Sequence, residues 1–158
     1  MCNTAAYALC IKAPCAKKSE DDKHVQCECI MQSGWNMGPN SCEDRAKSLT
    51  STYSNNFNPY SATVRCPAGP WAWCYGATCV PDPNDPSKAI CNCPVITKTA
   101  YVVLVNRELC RDPGQVCGML WSAAAPPESE FANNQIYSWM TDSGMMANPP
   151  APACPAPK

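Results

Sequence analysis

Cysteine spacing constrains this chain more than any other feature. Cys2, Cys10, Cys15, Cys27 and Cys29 recur as Cys66, Cys74, Cys79, Cys91 and Cys93 at a constant offset of 64 residues. Both sets read C-x7-C-x4-C-x11-C-x-C, and a sixth cysteine follows after 12 residues (Cys42) or 16 (Cys110). Between Cys2 and Met31 only eight of thirty positions match their counterparts, and five of the eight are cysteine. Spacing has been kept while the rest has drifted, the pattern expected when covalent cross-links carry a fold.

Within each set, "CAKKSEDDKHVQCEC" (15–29) and "CVPDPNDPSKAICNC" (79–93) have strand-like ends around a polar tip. Turn-forming residues fill both tips; prolines stiffen the second, and charges keep the first solvated. Each stretch is predicted to be a β-hairpin stapled by its cysteines. Residues i and i+2 of a strand face one side, so Cys27 and Cys29 present both sulfurs to the same face. Neighbours that close do not bond to each other with relaxed geometry, so each is expected to reach a different partner.

Composition agrees with a cross-linked scaffold. Fourteen cysteines in 158 residues, with 17 prolines and two phenylalanines, argue against a core of long helices. A net charge of −1 gives no steering toward nucleic acid or anionic membrane. No apolar run approaches a membrane span; "AYVVLV" at 100–105 is six residues long and reads as a buried strand. Fourteen thiols would be costly to keep reduced, so a secreted or periplasmic location is expected, with Met1 standing where an export signal has been removed.

The order and spacing of the cysteines resemble the epidermal growth factor-like module, and "SGWNMGPNSC" (33–42) is similar to that family's glycine–aromatic–glycine approach to its last cysteine. The resemblance implies bridges Cys2–Cys15, Cys10–Cys27 and Cys29–Cys42, then Cys66–Cys79, Cys74–Cys91 and Cys93–Cys110. Cys117 and Cys154 are left over, and pairing them would tie down the tail, giving seven bridges. The acidic calcium-binding signature of the family is absent, with "SATVR" before Cys66. The words "AAYALC", "GPWAWC" and "DPNDPSKAICNC" are also similar to small exported cysteine-rich proteins of Gram-negative bacteria.

The expected organisation is a cysteine-rich repeat at 1–42, a connector at 43–65 packed across the repeats, a second repeat at 66–110, and a C-terminal region at 111–158. In that last region Pro127 to Asp142 has helical signals: Glu128 and Glu130 in the first turn, Gly144 past the end, and Phe131, Gln135, Ile136, Trp139 and Met140 on one face, apolar except for Gln135. The tail "NPPAPACPAPK" reads as extended and polyproline-like. The fold class is thus a small, disulfide-rich, mainly β protein: two tandem hairpin-based repeats docked into one body, plus one C-terminal helix and a proline-rich tail.

Few residues point to chemistry. His24 is the sole histidine, and its counterpart is Lys88, so a solvated loop residue is the plainer account than a general base. No C-x2-C spacing occurs, which argues against both a thiolate zinc site and a redox pair, so disulfide exchange is not expected as the role. The acidic "EDD" at 20–22 recurs only through Asp85 and reads as an exposed turn. Neither catalytic residues nor cofactors are expected.

The candidate binding residues are Trp71, Trp73 and Tyr75, which could form an aromatic platform or a core roof, and Asp82, Asn84 and Asp85 at the second tip. The expected function is a non-enzymatic exported protein that binds an unidentified protein or glycan, or self-assembles. The alternatives are a secreted inhibitor or effector presenting the rigid loop 80–90, and, further off, a metal carrier using its C-x-C motifs.

Overall fold

The computed structural model describes residues 2–10, 15–18, 21–52, 62–105, 112–118, 120–122 and 124–126. Its strands are β1 (Cys2–Leu9), β2 (Cys15–Lys18), β3 (Asp21–Asn36), β4 (Ala62–Cys66), β5 (Trp71–Ala72), β6 (Cys79–Pro81), β7 (Lys88–Ile96), β8 (Tyr101–Val105) and β9 (Ala124–Ala125). One short helix, α1 (Cys42–Lys47), and a 3-10 turn at Pro113–Gln115 complete the described elements. The protein is therefore small, mainly β and disulfide-rich. The expected helix from Pro127 to Asp142 and the proline-rich tail lie outside the described residues, as do Cys110 and Cys154.

The alternation of cysteine with polar or apolar residues gives β3 and β7 two distinct faces, and the strands pair accordingly. β2 and β1 lie one after the other along one edge of β3, with Cys15 opposite Cys27 and Leu9 opposite Ile30. β6 and β5 occupy the corresponding edge of β7, with Cys79 opposite Cys91 and Trp71 opposite Ile96. The remaining edges pair with each other, antiparallel, over His24–Ile30 and Lys88–Pro94.

That central register is particular. Cys27 faces Cys91, its own counterpart at the 64-residue offset, while Val25 faces Cys93 and Cys29 faces Ala89. The two halves thus meet as the two subunits of an isologous dimer do, each offering the same strand edge.

This strand order settles the disulfides. The bridges are nested: Cys15–Cys27 innermost, then Cys10–Cys29, then Cys2–Cys42. The second half repeats the inner two as Cys79–Cys91 and Cys74–Cys93, and closes the outer one as Cys66–Cys117. The pairing implied by the resemblance is not formed, and Cys117 pairs with Cys66 in place of Cys154. The reason is geometric. With β2 opposite β3, Cys15 and Cys27 stand 4.1 Å apart at Cα and bond directly. With β1 continuing along the same edge, Cys10 arrives beside Cys29. An outward walk from the hairpin tip can only nest the bridges.

Two cores follow. The first is a slab of cystine, comprising Cys10, Cys27, Cys29, Cys74, Cys79, Cys91 and Cys93 with Ala8, Val25, Ala72, Ala77 and Ala89, all buried. The small alanines leave room for the sulfur pairs to pack against one another. The second core gathers Val64, Trp71, Tyr101, Val103, Val105, Val116, Trp121 and Ala124 under a three-stranded sheet, β4-β8-β9. Consecutive residues Trp71 and Ala72 belong to different cores, so the two lie on opposite faces of the main sheet.

Residues 49–52 bridge the halves on the cystine side. The N–H of Ala8 donates to Thr50 O and that of Thr52 to Ala8 O, while the N–H of Ser51 donates to Ala77 O and that of Cys79 to Leu49 O. The β-prone "LTST" of the connector thus takes hydrogen bonds from both halves.

Candidate functional site

On the face of the main sheet opposite the cystine slab, the outward positions are Gln26, Glu28 and Ile30 of β3, Lys88, Ile90 and Asn92 of β7, and Val80 of β6. Register places Val80 beside Ile90, Ile90 beside Glu28, and Ile30 beside Lys88. Ile30, paired on both sides within the sheet, and Val80, on the outer strand β6, are 48% and 57% exposed. The Lys88 ammonium bridges diagonally to the Glu28 carboxylate at 2.6 Å and lies 3.8 Å from Asp85. Hydrogen bonding and charge attraction to Glu28 raise the Lys88 pKa. The result is a small apolar patch crossed by one ion pair.

The tip beside this patch is held by its own side chains. The N–H of Asn84 donates to Asp82 Oδ1 at 2.8 Å, and Ser87 donates both its hydroxyl (2.6 Å) and its N–H (3.0 Å) to Asp85 Oδ1. These are Asx turns, the local bond that makes aspartate a turn residue. Those two bonds from Ser87, hydroxyl first, hold the Asp85 carboxyl below the usual carboxylate range. Main-chain bonds Asp82 N–H to Lys88 O and Lys88 N–H to Asp85 O close the hairpin, and Met31 N–H donates to Ser87 O. Asp82 and Asp85 therefore spend a carboxylate oxygen on shaping the loop.

The aromatic cluster is arranged differently from a platform. Trp71 is 1% exposed and stacks on Tyr101 at 5.8 Å, so it is core and not available to a partner. Trp73 packs edge-on against it at 5.5 Å, and Tyr75 lies 5.6 Å from Trp73. Both are half-buried, and burial raises the Tyr75 pKa.

His24 pairs through its backbone with Pro94 at the end of the central ladder. Cysteine sulfurs do converge, Cys10 with Cys74 and Cys93, and Cys10 with Cys29 and Cys91. Every one of these belongs to a disulfide, and cystine lacks the thiolate charge a metal ion needs.

A second polar centre was not singled out from the sequence. Arg45 of α1 is buried, donating from Nη1 to Asn36 Oδ1 at 2.7 Å and from Nη2 to Cys2 Sγ. Asn36 is also buried and donates from Nδ2 to Thr4 Oγ1 at 2.7 Å and to Gly34 O at 2.8 Å. Nothing in "CEDRAK" marks Arg45 as an inward residue, because a six-residue helix has no readable periodicity. Val80 and Ile30 were not singled out either, although a signal for them exists: each adjoins an inward cysteine and so points to the other face.

Among the described residues no helix is long and apolar enough to cross a membrane. Six bridges in so small a chain are consistent with an extracellular or periplasmic location. No family, no curated protein and no solved structure matches the chain.

Proposed function

We propose that the protein is an exported, non-enzymatic structural component that assembles with copies of itself through the Ile30–Ile90–Val80 face. The observation that carries this reading is the exposure of Ile30 and Val80 on a sheet made rigid by cystine, where neither side chain can fold away. The Glu28–Lys88 pair supports it. Opposite charges beside one apolar patch are self-complementary about a twofold, each carboxylate meeting the other copy's ammonium. Pro81 lies in the short outer strand β6 and removes a donor from its edge, which favours contact through the face over strand addition.

The test is sedimentation equilibrium over a concentration series with wild type and Val80→Glu. Val80 is exposed, so the substitution leaves the circular dichroism spectrum and melting unchanged while shifting the assembly to monomer. Wild type that stays monomeric at millimolar concentration overturns the reading.

The braced loop supports a second reading, a secreted inhibitor presenting residues 80–90. Stoichiometric inhibition of a protease, with slow cleavage in that loop, would establish it.

A further inference from the structure

Among the described residues, Cys42 is the one exposed cysteine; its partner Cys2 is 4% exposed. The other described bridges have sulfurs that are buried or half-buried. Beside Cys2 stands Arg45, itself only 5% exposed, with Nη2 donating to Cys2 Sγ and Nε donating to nothing. No carboxylate bridges this guanidinium among the described residues; its acceptors are the Asn36 side-chain and backbone oxygens and the sulfur. A buried cation without a counter-ion is an unfavourable arrangement, and an anion formed at Cys2 would relieve it. A cavity of about 310 Å3 leads to the bridge, lined by Asn3, Thr4, Ala5 and Ala6 of β1 and by Cys42 and Arg45 of α1.

We infer that the Cys2–Cys42 bridge is a thiol–disulfide exchange site that accepts a small thiol at Cys42. The attacking thiol first loses its proton to solvent. Its sulfur bonds to Cys42 Sγ, the Cys2–Cys42 bond breaks, and its electron pair leaves on Cys2 as a thiolate held by Arg45. One S–S bond forms and one breaks, so no external oxidant or reductant is needed. Exchange favours the sulfur that can be reached and the leaving group of lower pKa; Cys42 supplies the first and Cys2, beside a guanidinium, the second. The charged residues lining the cavity are Arg45 and Lys47, and Lys47 is bridged to Glu43 at 3.0 Å. This site is independent of the Ile30–Val80 face.

The experiment exposes the folded, unreduced protein to cysteamine, quenches with acid, alkylates and maps peptides by mass spectrometry. The expected product carries one cysteamine on Cys42 and one alkyl group on Cys2, with the nested inner bridges intact. Arg45→Gln slows opening by roughly tenfold through the loss of leaving-group stabilisation, and Arg45→Lys restores most of the rate.

Should Arg45→Gln fail to fold, the cysteamine adduct of wild type gives the same information. Its Cys2 thiol alkylates with a midpoint below the ordinary thiol range, in surroundings whose charged and titratable groups are Arg45, the nearby Tyr75, and Glu43, Asp44 and Lys47 of α1. Adducts first on Cys15 or Cys117, no adduct at Cys42, a Cys2 midpoint at or above the ordinary range, or an unchanged rate in a folded Arg45→Gln each overturn the proposal.

Discussion

Replacing Cys15 and Cys27 together by alanine tests the nested connectivity and its energetic weight at once. The bridge spans 12 residues, and closing a loop of that size restricts the unfolded chain by about 3 kcal/mol. Cys27 is fully buried at the middle of the central ladder, and the space left by its sulfur adds about 1 kcal/mol. For a chain of this length each kcal/mol moves the melting temperature by about 2–4 °C, so a drop of roughly 8–16 °C is expected. The matching pair Cys79→Ala/Cys91→Ala spans the same 12 residues and should cost about the same.

The decisive assay is the mass of the folded double variant after alkylation without reduction. Nested bridges leave Cys2 with Cys42 and Cys10 with Cys29, so none of these four takes an adduct. Under the first-to-third, second-to-fourth pairing the same variant would strand Cys2 and Cys10 as thiols and take up two alkyl groups. Two adducts, or a melting change under 2 °C, would refute the reasoning.

Two further perturbations separate causes the fold otherwise combines. Gly34 and Gly76 both have positive φ, +105° and +75°, but a Cβ at Gly34 meets nothing within 4 Å while one at Gly76 lies 2.5 Å from Pro39 Cγ. Gly34→Ala therefore costs backbone strain alone, about 1–2 kcal/mol, and Gly76→Ala adds a clash for a total of about 3 kcal/mol or more; equal shifts in denaturant midpoint would contradict this. Asp85, held below its ordinary pKa by Ser87, stabilises the loop above the unfolded carboxyl's titration and loses that effect as pH falls through the lower folded value. Lys88, raised by Glu28, contributes below the unfolded ammonium's titration and loses its effect as pH rises through the higher folded value. The loop is thus steady from mild acid to mild base, and the Ser87 amide resonance should titrate below the ordinary aspartate range; a midpoint at or above that range would show the Asx turn does not form in solution.

The hairpins were legible in the sequence because alternation and tip composition are local signals. "CVPDPNDPSKAICNC" folds as β6, a braced turn and β7, with Cys91 and Cys93 inward. "AYVVLV" likewise contains β8, with Tyr101 and Val103 fully buried. The bridge pattern was not legible, because it depends on where β1 lies relative to β3, and spacing alone does not say whether β1 continues the edge begun by β2 or crosses to the other. Trp71 was left between two readings for a related reason: an exposed platform and a core roof share the W-x-W spacing, and only β8, distant in sequence, decides between them by placing Tyr101 against it. Arg45 left no trace, since its burial rests on Asn36 and Cys2, residues of other strands.

The central register explains why cysteine alone kept its spacing. A hairpin of β2 and β3 by itself would leave one edge of β3 unpaired and a cystine face open to water. β7 closes that edge with the same strand turned end for end, and the cystines of the two halves join in one buried cluster. In an antiparallel pair related in this way, every contact near Cys27 and Cys91 occurs twice, so a poorly fitting residue there would be felt twice. Sulfur pairs flanked by alanine and valine meet that demand. Outward positions are under no such duplication: Ile30 and Pro94 hold equivalent places, as do Val80 and Ala16, and each has gone its own way. The asymmetry that follows puts the Ile30–Ile90–Val80 patch on one side of the axis and Gln26, Asn92 and Pro94 on the other, so two hairpins that share one frame present different outward surfaces.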